Sequence, residues 1–212
     1  YGIDANYRAT VTIENAEIIT LASNRDRYAI RLGAYSNLTI NDGALISSPT
    51  ASGVILDSSN ITVTMNGGEI NAGGSNAYGV RNYYGTLNMN GGKITTTGSS
   101  SYGFYNYYYP FTFNMNGGEI TSANIGVYLD HNTSSYYQDA RKANIYSGTI
   151  SGKTYGIYQK HPNSTINIGR TTDELSTEIP LISGGLYGIY KTGGYMNFYN
   201  GRLKGYTDGY TN

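Results

Sequence analysis

The sequence predicts an all-β solenoid of about eight coils of about 24 residues. Three observations predict it: an eight-residue segment recurring at shifts of 24 and 26 residues, a three-residue signal ahead of each recurrence, and an apolar period of two. The recurring segment is Val63-Thr64-Met65-Asn66-Gly67-Gly68-Glu69-Ile70, found again at Leu87 to Ile94 and Phe113 to Ile120. Weaker copies run from Val11 to Ile18, Leu38 to Leu45, Ala143 to Ile150 and Met196 to Leu203, and Ile166 to Gly169 begins one that an insertion interrupts.

Each element follows from local chemistry. The opening signal reads Tyr1-Gly2-Ile3, Tyr28-Ala29-Ile30, Ser52-Gly53-Val54, Tyr78-Gly79-Val80, Tyr102-Gly103-Phe104, Ile125-Gly126-Val127, Tyr155-Gly156-Ile157 and Tyr187-Gly188-Ile189, which makes eight units. With a period of two, Val63 and Met65 face one side and Thr64 and Asn66 the other. Gly67-Gly68 then turns the chain before Ile70 points inward again. A unit this short cannot bury enough apolar surface to offset the ordering of its own backbone. Stacking supplies both the missing burial and the partners for its peptide groups. The expectation is a single domain over residues 1–212, a parallel solenoid whose rungs lie about 4.8 Å apart and whose eight coils span about 38 Å.

Alternating Tyr-Gly-Ile and strand-Asn-Gly-Gly-strand resembles the right-handed parallel β-helix repeats, similar to the pectate-lyase superfamily, of large secreted or wall-attached Gram-positive bacterial surface proteins. The resemblance covers nearly the whole chain. It implies right-handed coiling and an extracellular or cell-surface location. It leaves function open, because that superfamily includes lyases, hydrolases, tailspikes and adhesins.

Composition narrows the function classes. Fourteen basic and fourteen acidic residues give zero net charge, which argues against a nucleic-acid partner held by a basic footprint. No apolar run approaches the roughly 20 residues that span a bilayer, so direct membrane insertion is not expected. The absence of cysteine excludes disulfides and thiolate metal sites.

Stacking turns sequence into columns. Val11, Leu38, Val63, Leu87, Phe113, Ala143, Ile166 and Met196 form one inward file, and Ile13, Ile40, Met65, Met89, Met115, Ile145, Ile168 and Phe198 the next. Asn41, Asn66, Asn90 and Asn116 form a turn column whose amides can bond one another. Glu69, Lys93 and Glu119 form a column of alternating charge. If the Tyr and Ile of the opening signal both face inward, the next position faces out. It reads Asp4, Arg31, Ile55, Arg81, Tyr105, Tyr128, Tyr158 and Tyr190. Four successive tyrosines there, with Tyr83-Tyr84, Tyr107-Tyr108-Tyr109 and Tyr136-Tyr137 in neighbouring loops, predict an exposed aromatic ladder. Rigid rings with polar tips suit a glycan or a host protein, and Tyr105, Tyr128, Tyr158, Tyr190, Tyr107, Tyr108 and Tyr109 are the predicted binding residues.

Catalytic signals are weak. His131 and His161 lack a neighbouring nucleophile motif, and Asp173-Glu174 is the one adjacent acid pair. Of the resemblance's pectin-cleaving motifs only Arg202-Leu203-Lys204 is similar, and it sits at an ordinary strand position. No cofactor or metal site is expected. Units 125–154 and 155–186 are expanded by His131 to Arg141 and Gly169 to Glu178, where binding loops are expected. Thr171-Thr172-Asp173-Glu174 has capping-box spacing for one helical turn. Asn37, Asn60, Asn132 and Asn163 open glycosylation sequons. A repeat motif at each end suggests a segment of a longer array or end-to-end self-association. The sequence thus reads as a non-catalytic stalk or adhesin module. The alternatives are a polysaccharide lyase or hydrolase fragment and a self-stacking filament subunit.

Overall fold

A computed structural model describes residues 1–23, 26–107, 109–130, 141–171 and 179–206. Among the described residues there are 22 strands and no helix. Strand joins strand in parallel from coil to coil, the arrangement the repeats predict.

One coil shows the design. Tyr102–Asn106 is its first strand, Phe111–Met115 its second and Glu119–Ser122 its third. Each hydrogen-bonds to its counterparts one coil below and one above. The third strands make an eight-stranded sheet of their own. First and second strands merge into one 14-stranded sheet because Ser52–Met65 and Tyr78–Met89 run through their corner unbroken.

The predicted files are present in register, although their last members, Met196 and Phe198, are exposed. Ile40, Met65, Met89, Met115, Ile145 and Ile168 are successive Cα partners, and all are buried. Beside them Leu38, Val63, Leu87, Phe113, Ala143 and Ile166 form the second file. Ile46, Ile70, Ile94, Ile120, Ile150 and Ile182 form a third across the interior. Each such side chain contributes roughly 1.5–3 kcal/mol of burial, so the core is one continuous apolar column.

Inside the corners the chain satisfies its own backbone. Asn82 Nδ2 donates to the Gly85 carbonyl at 2.9 Å, and the Gly85 N–H returns a bond to Asn82 Oδ1 at 2.7 Å. Gln159 does the equivalent three coils on, donating to the Ser164 and Tyr195 carbonyls at 3.0 Å each. These buried amides replace bonds that a strand would otherwise make.

Two asparagine ladders run along the outside. The turn ladder links Asn66 to Asn41, Asn90 to Asn66 and Asn116 to Asn90 at 3.0 Å each, as the column predicts. A second ladder of Asn88, Asn114, Asn144, Asn167 and Asn197 on the second strands has bonds of 2.7 to 2.8 Å. The charge column is tied more loosely. Lys93 reaches Glu119 at 3.5 Å, while Glu69 accepts from Asn71.

One expectation fails in an informative way. The first-strand register pairs Tyr102 with Tyr78 and Ile125, then passes over Gly103 to pair Phe104 with Val80 and Val127. A Cβ on Gly103 would collide with Ile120 Cγ2 of the opposite sheet and the Gly126 carbonyl oxygen, so Gly103 and Phe104 both lie inward. Two inward positions in a row reset the alternation. Tyr102 therefore faces outward beside Tyr105, and the tyrosines of the opening signal lie outside the main apolar column, Tyr28 and Tyr78 being buried in a second cluster with Ile55 and Tyr105.

Gly103→Ala is expected to cost about 1–3 kcal/mol through this overpacking, measured by chemical denaturation. Asn144→Ala should cost about 1–2 kcal/mol because two ladder bonds go, against at most about half that for the terminal Asn197→Ala. Equal losses at the two asparagines would show that the ladder bonds do not stabilise the stack.

Candidate functional site

Because the signal tyrosines turn outward, two columns meet on one face. The first is Tyr28, Ser52, Tyr78, Tyr102, Ile125, Tyr155 and Tyr187, and the second Arg31, Ile55, Arg81, Tyr105, Tyr128, Tyr158 and Tyr190. Together they make a wall of rings rather than a single ladder. Tyr128 stacks on Tyr158 at 4.9 Å between centroids, Tyr158 meets Tyr190 at 5.0 Å, and Tyr155 stacks on Tyr190 at 4.9 Å. Tyr102 stacks on both Tyr78 and Tyr128, at 5.7 and 5.4 Å. Where rings one rung apart stack, as at Tyr102–Tyr128 and Tyr128–Tyr158, they cover one another's faces.

Exposure rises along the wall. Tyr28, Tyr78 and Tyr105 are buried, Tyr102, Tyr128, Tyr155, Tyr158 and Tyr190 are half-buried, and Tyr187 is 50 % exposed. The predicted exposure of Tyr105 is therefore corrected: it is 6 % exposed, enclosed by Tyr78, Tyr102, Tyr107 and Tyr128. Tyr107 packs on Tyr83 at 5.1 Å and Tyr109 stacks on Tyr84 at 3.7 Å, so both loop tyrosines are joined to their neighbours one coil below. Tyr108, Tyr136, Tyr137, His131 and Asp173-Glu174 lie outside the described residues, as do most of both expanded loops and the last three residues of the capping-box motif.

Polar groups pin the wall at two points. Arg81 lies 4.9 Å from the ring centroids of Tyr78, Tyr83 and Tyr107, donates to Tyr28 Oη at 3.0 Å and faces Asp26 at 3.6 Å. It closes the buried end as a cation held by π-faces. Further along, Tyr105 donates to Asp130 Oδ2 at 2.7 Å, Tyr128 donates to Oδ1 at 3.0 Å, and Lys160 approaches Oδ1 at 3.3 Å. Asp130 thereby joins three successive coils through one carboxylate. Arg81 stands in the outward column that the repeats predict, whereas Asp130 is absent from that reading; its signal is its alignment with Tyr107 and Lys160, one position past the column.

Burial, followed by the Asp130 carboxylate, holds the Tyr105 and Tyr128 hydroxyls far above the ordinary phenol range. Burial also raises Tyr28, against the opposing pull of Arg81. His161 is buried, with Nδ1 accepting the Asn163 N–H at 3.1 Å, so its ring closes a turn. Among the described residues no group of three or more His, Asp or Glu lies close enough together to hold a metal.

Fold and site define a class: a three-stranded-per-coil parallel β-solenoid with an aromatic wall on one face. No family model, curated protein or solved structure matches the chain.

The shifted hydroxyls fix the sign of an alkaline response. The unfolded chain loses phenolic protons above about pH 10, whereas the folded wall retains them, so stability is full below that pH and falls as pH rises. Each tyrosine withheld in this way costs about 1.4 kcal/mol per pH unit. Phenolate absorbance should therefore appear in two phases, exposed rings first and wall rings together with loss of β circular dichroism. A single phase near the ordinary pKa, with the fold intact, would show the wall hydroxyls to be unprotected.

Proposed function

We propose that this chain is a non-catalytic module of an extracellular or surface-attached bacterial protein, a stalk or adhesin segment whose tyrosine wall docks a protein partner. The observation that carries the reading is the pre-organised strip of half-buried rings from Tyr102 to Tyr190, rigidly spaced by the rungs beneath. Its chemistry is that of a paratope: large amphipathic groups, little side-chain entropy left to lose, and hydroxyls in a row. The repeats' likeness to those of secreted Gram-positive proteins supports the location.

A glycan is the second reading. The row of hydroxyls favours it through hydrogen bonding, while mutual stacking of the rings disfavours the face-on contact that sugars prefer. Tyr105 and Tyr107 serve the strip by fixing their neighbours, and Tyr128, Tyr158 and Tyr190 make the contact.

Replacing Tyr128, Tyr158 and Tyr190 together with Ala should weaken binding to a fibrinogen, fibronectin and laminin panel by about tenfold or more, equivalent to about 1.4 kcal/mol, with circular dichroism unchanged. Unaltered binding to every protein that the parent chain captures would remove the wall from consideration, and a glycan array run in parallel decides the second reading. A reducing-end assay on neutral and acidic polysaccharides should give no product. Product formation would overturn the non-catalytic assignment.

A further inference from the structure

The turn that carries the Asn41 to Asn116 ladder changes character in the later coils. The same position is Tyr146, Gly169 and Tyr199, shown by the matching bonds of their N–H groups to the Met115, Ile145 and Ile168 carbonyls, at 2.8 Å each. Gly169 is there for backbone reasons: φ is +77°, and a Cβ would collide with both the side-chain amide and the carbonyl oxygen of Asn200. The consequence is that no third ring stands between Tyr146 and Tyr199. Tyr146 and Tyr199 stand two rungs apart, about 9.6 Å by rung spacing, with the Asn200 amide rather than a ring against the level between.

Beside it lies a cleft of about 540 Å³ lined by Asn116, Tyr146, Asn167, Gly169, Arg170, Thr171 and Tyr199. Its size falls within the range of small-ligand sites. Three chemistries converge in it. The Arg170 guanidinium lies 4.6 Å from the Tyr146 ring centroid, exposed, and among the described residues no carboxylate pairs with it, unlike Arg31 and Arg81. Asn116 is the last member of its ladder. Its Nδ2 donates to Asn90, and with Tyr146 above it no further asparagine donates to its Oδ1. Tyr199, 48 % exposed, offers an open ring.

We infer that this cleft is a binding site for a short saccharide that carries a carboxylate. The guanidinium suits a carboxylate in two-pronged fashion, the free amide oxygen accepts a hydroxyl proton, and the Tyr199 ring packs on the sugar's C–H face. A neutral sugar leaves Arg170 unused, and a bare inorganic anion leaves Asn116 and Tyr199 unused. The site is built from turn residues and the strand residue Asn167, apart from the tyrosine wall, and does not depend on the wall's role.

Calorimetric titration of the whole chain tests it with sialyllactose and glucuronate, using lactose, glucose and inorganic phosphate as comparisons. At least one acidic probe should bind, with its neutral counterpart weaker by about tenfold or more. Arg170→Gln and Tyr199→Ala should each weaken the acidic probe by about fivefold or more, with circular dichroism retained because both side chains are exposed. The triple wall variant should bind it unchanged, which separates this site from the wall. Binding of neither acid, equal binding of acidic and neutral sugars, or complete displacement by equimolar phosphate would overturn the assignment.

Discussion

Every feature of this molecule depends on register between parallel strands. Peptide hydrogen bonds between coils fix which residue stands above which, and a slip of one position would send an inward file outward. The chain defends that register several times over at the same level. Isoleucine and methionine files fill the interior, two asparagine ladders grip the surface, and buried amides at Asn82 and Gln159 close the corners. The ladders are informative because an amide is both donor and acceptor, so each asparagine accepts from one neighbour and donates to the other. A shift by one residue would break every rung together.

The wall is a consequence of the same constraint. Once coils repeat, a tyrosine at one position becomes a column, and rings at rung spacing have little choice but to stack. Charge enters only where it can be neutralised by the stack. Arg81 is spread across three π-faces, and Asp130 is shared by two phenols and a lysine. The interior of the wall is thus structural, and whatever recognition it performs falls to the half-buried rings at its later coils.

The fold was legible because periodic spacing is itself a contact map: Met65, Met89 and Met115 could be placed in one file from their intervals alone. The orientation of the opening tyrosines was not, because strict alternation assumes an uninterrupted strand. At Gly103 the absence of a side chain lets two successive residues face the core, and only the opposing Ile120 explains why. The burial of Tyr105 has the same cause: with Tyr102 inward it would be open, and with Tyr102 beside it, it is enclosed. The second asparagine ladder stood in plain sight at Asn88, Asn114, Asn144, Asn167 and Asn197, one residue past a file already identified. The Tyr146 and Tyr199 cleft is not legible in the sequence because it depends on Gly169, whose contribution is the absence of a third ring.

Strands that bond only to their counterparts in adjacent coils have an evolutionary corollary. Excising one whole turn, such as the one built around Phe111–Met115, would lower Asn144 onto Asn88 and Ile145 onto Met89, recreating the junction that was lost. Genes encoding such chains can lengthen or shorten by unit steps without inventing new packing, so reach becomes an adjustable trait while the cross-section stays constant.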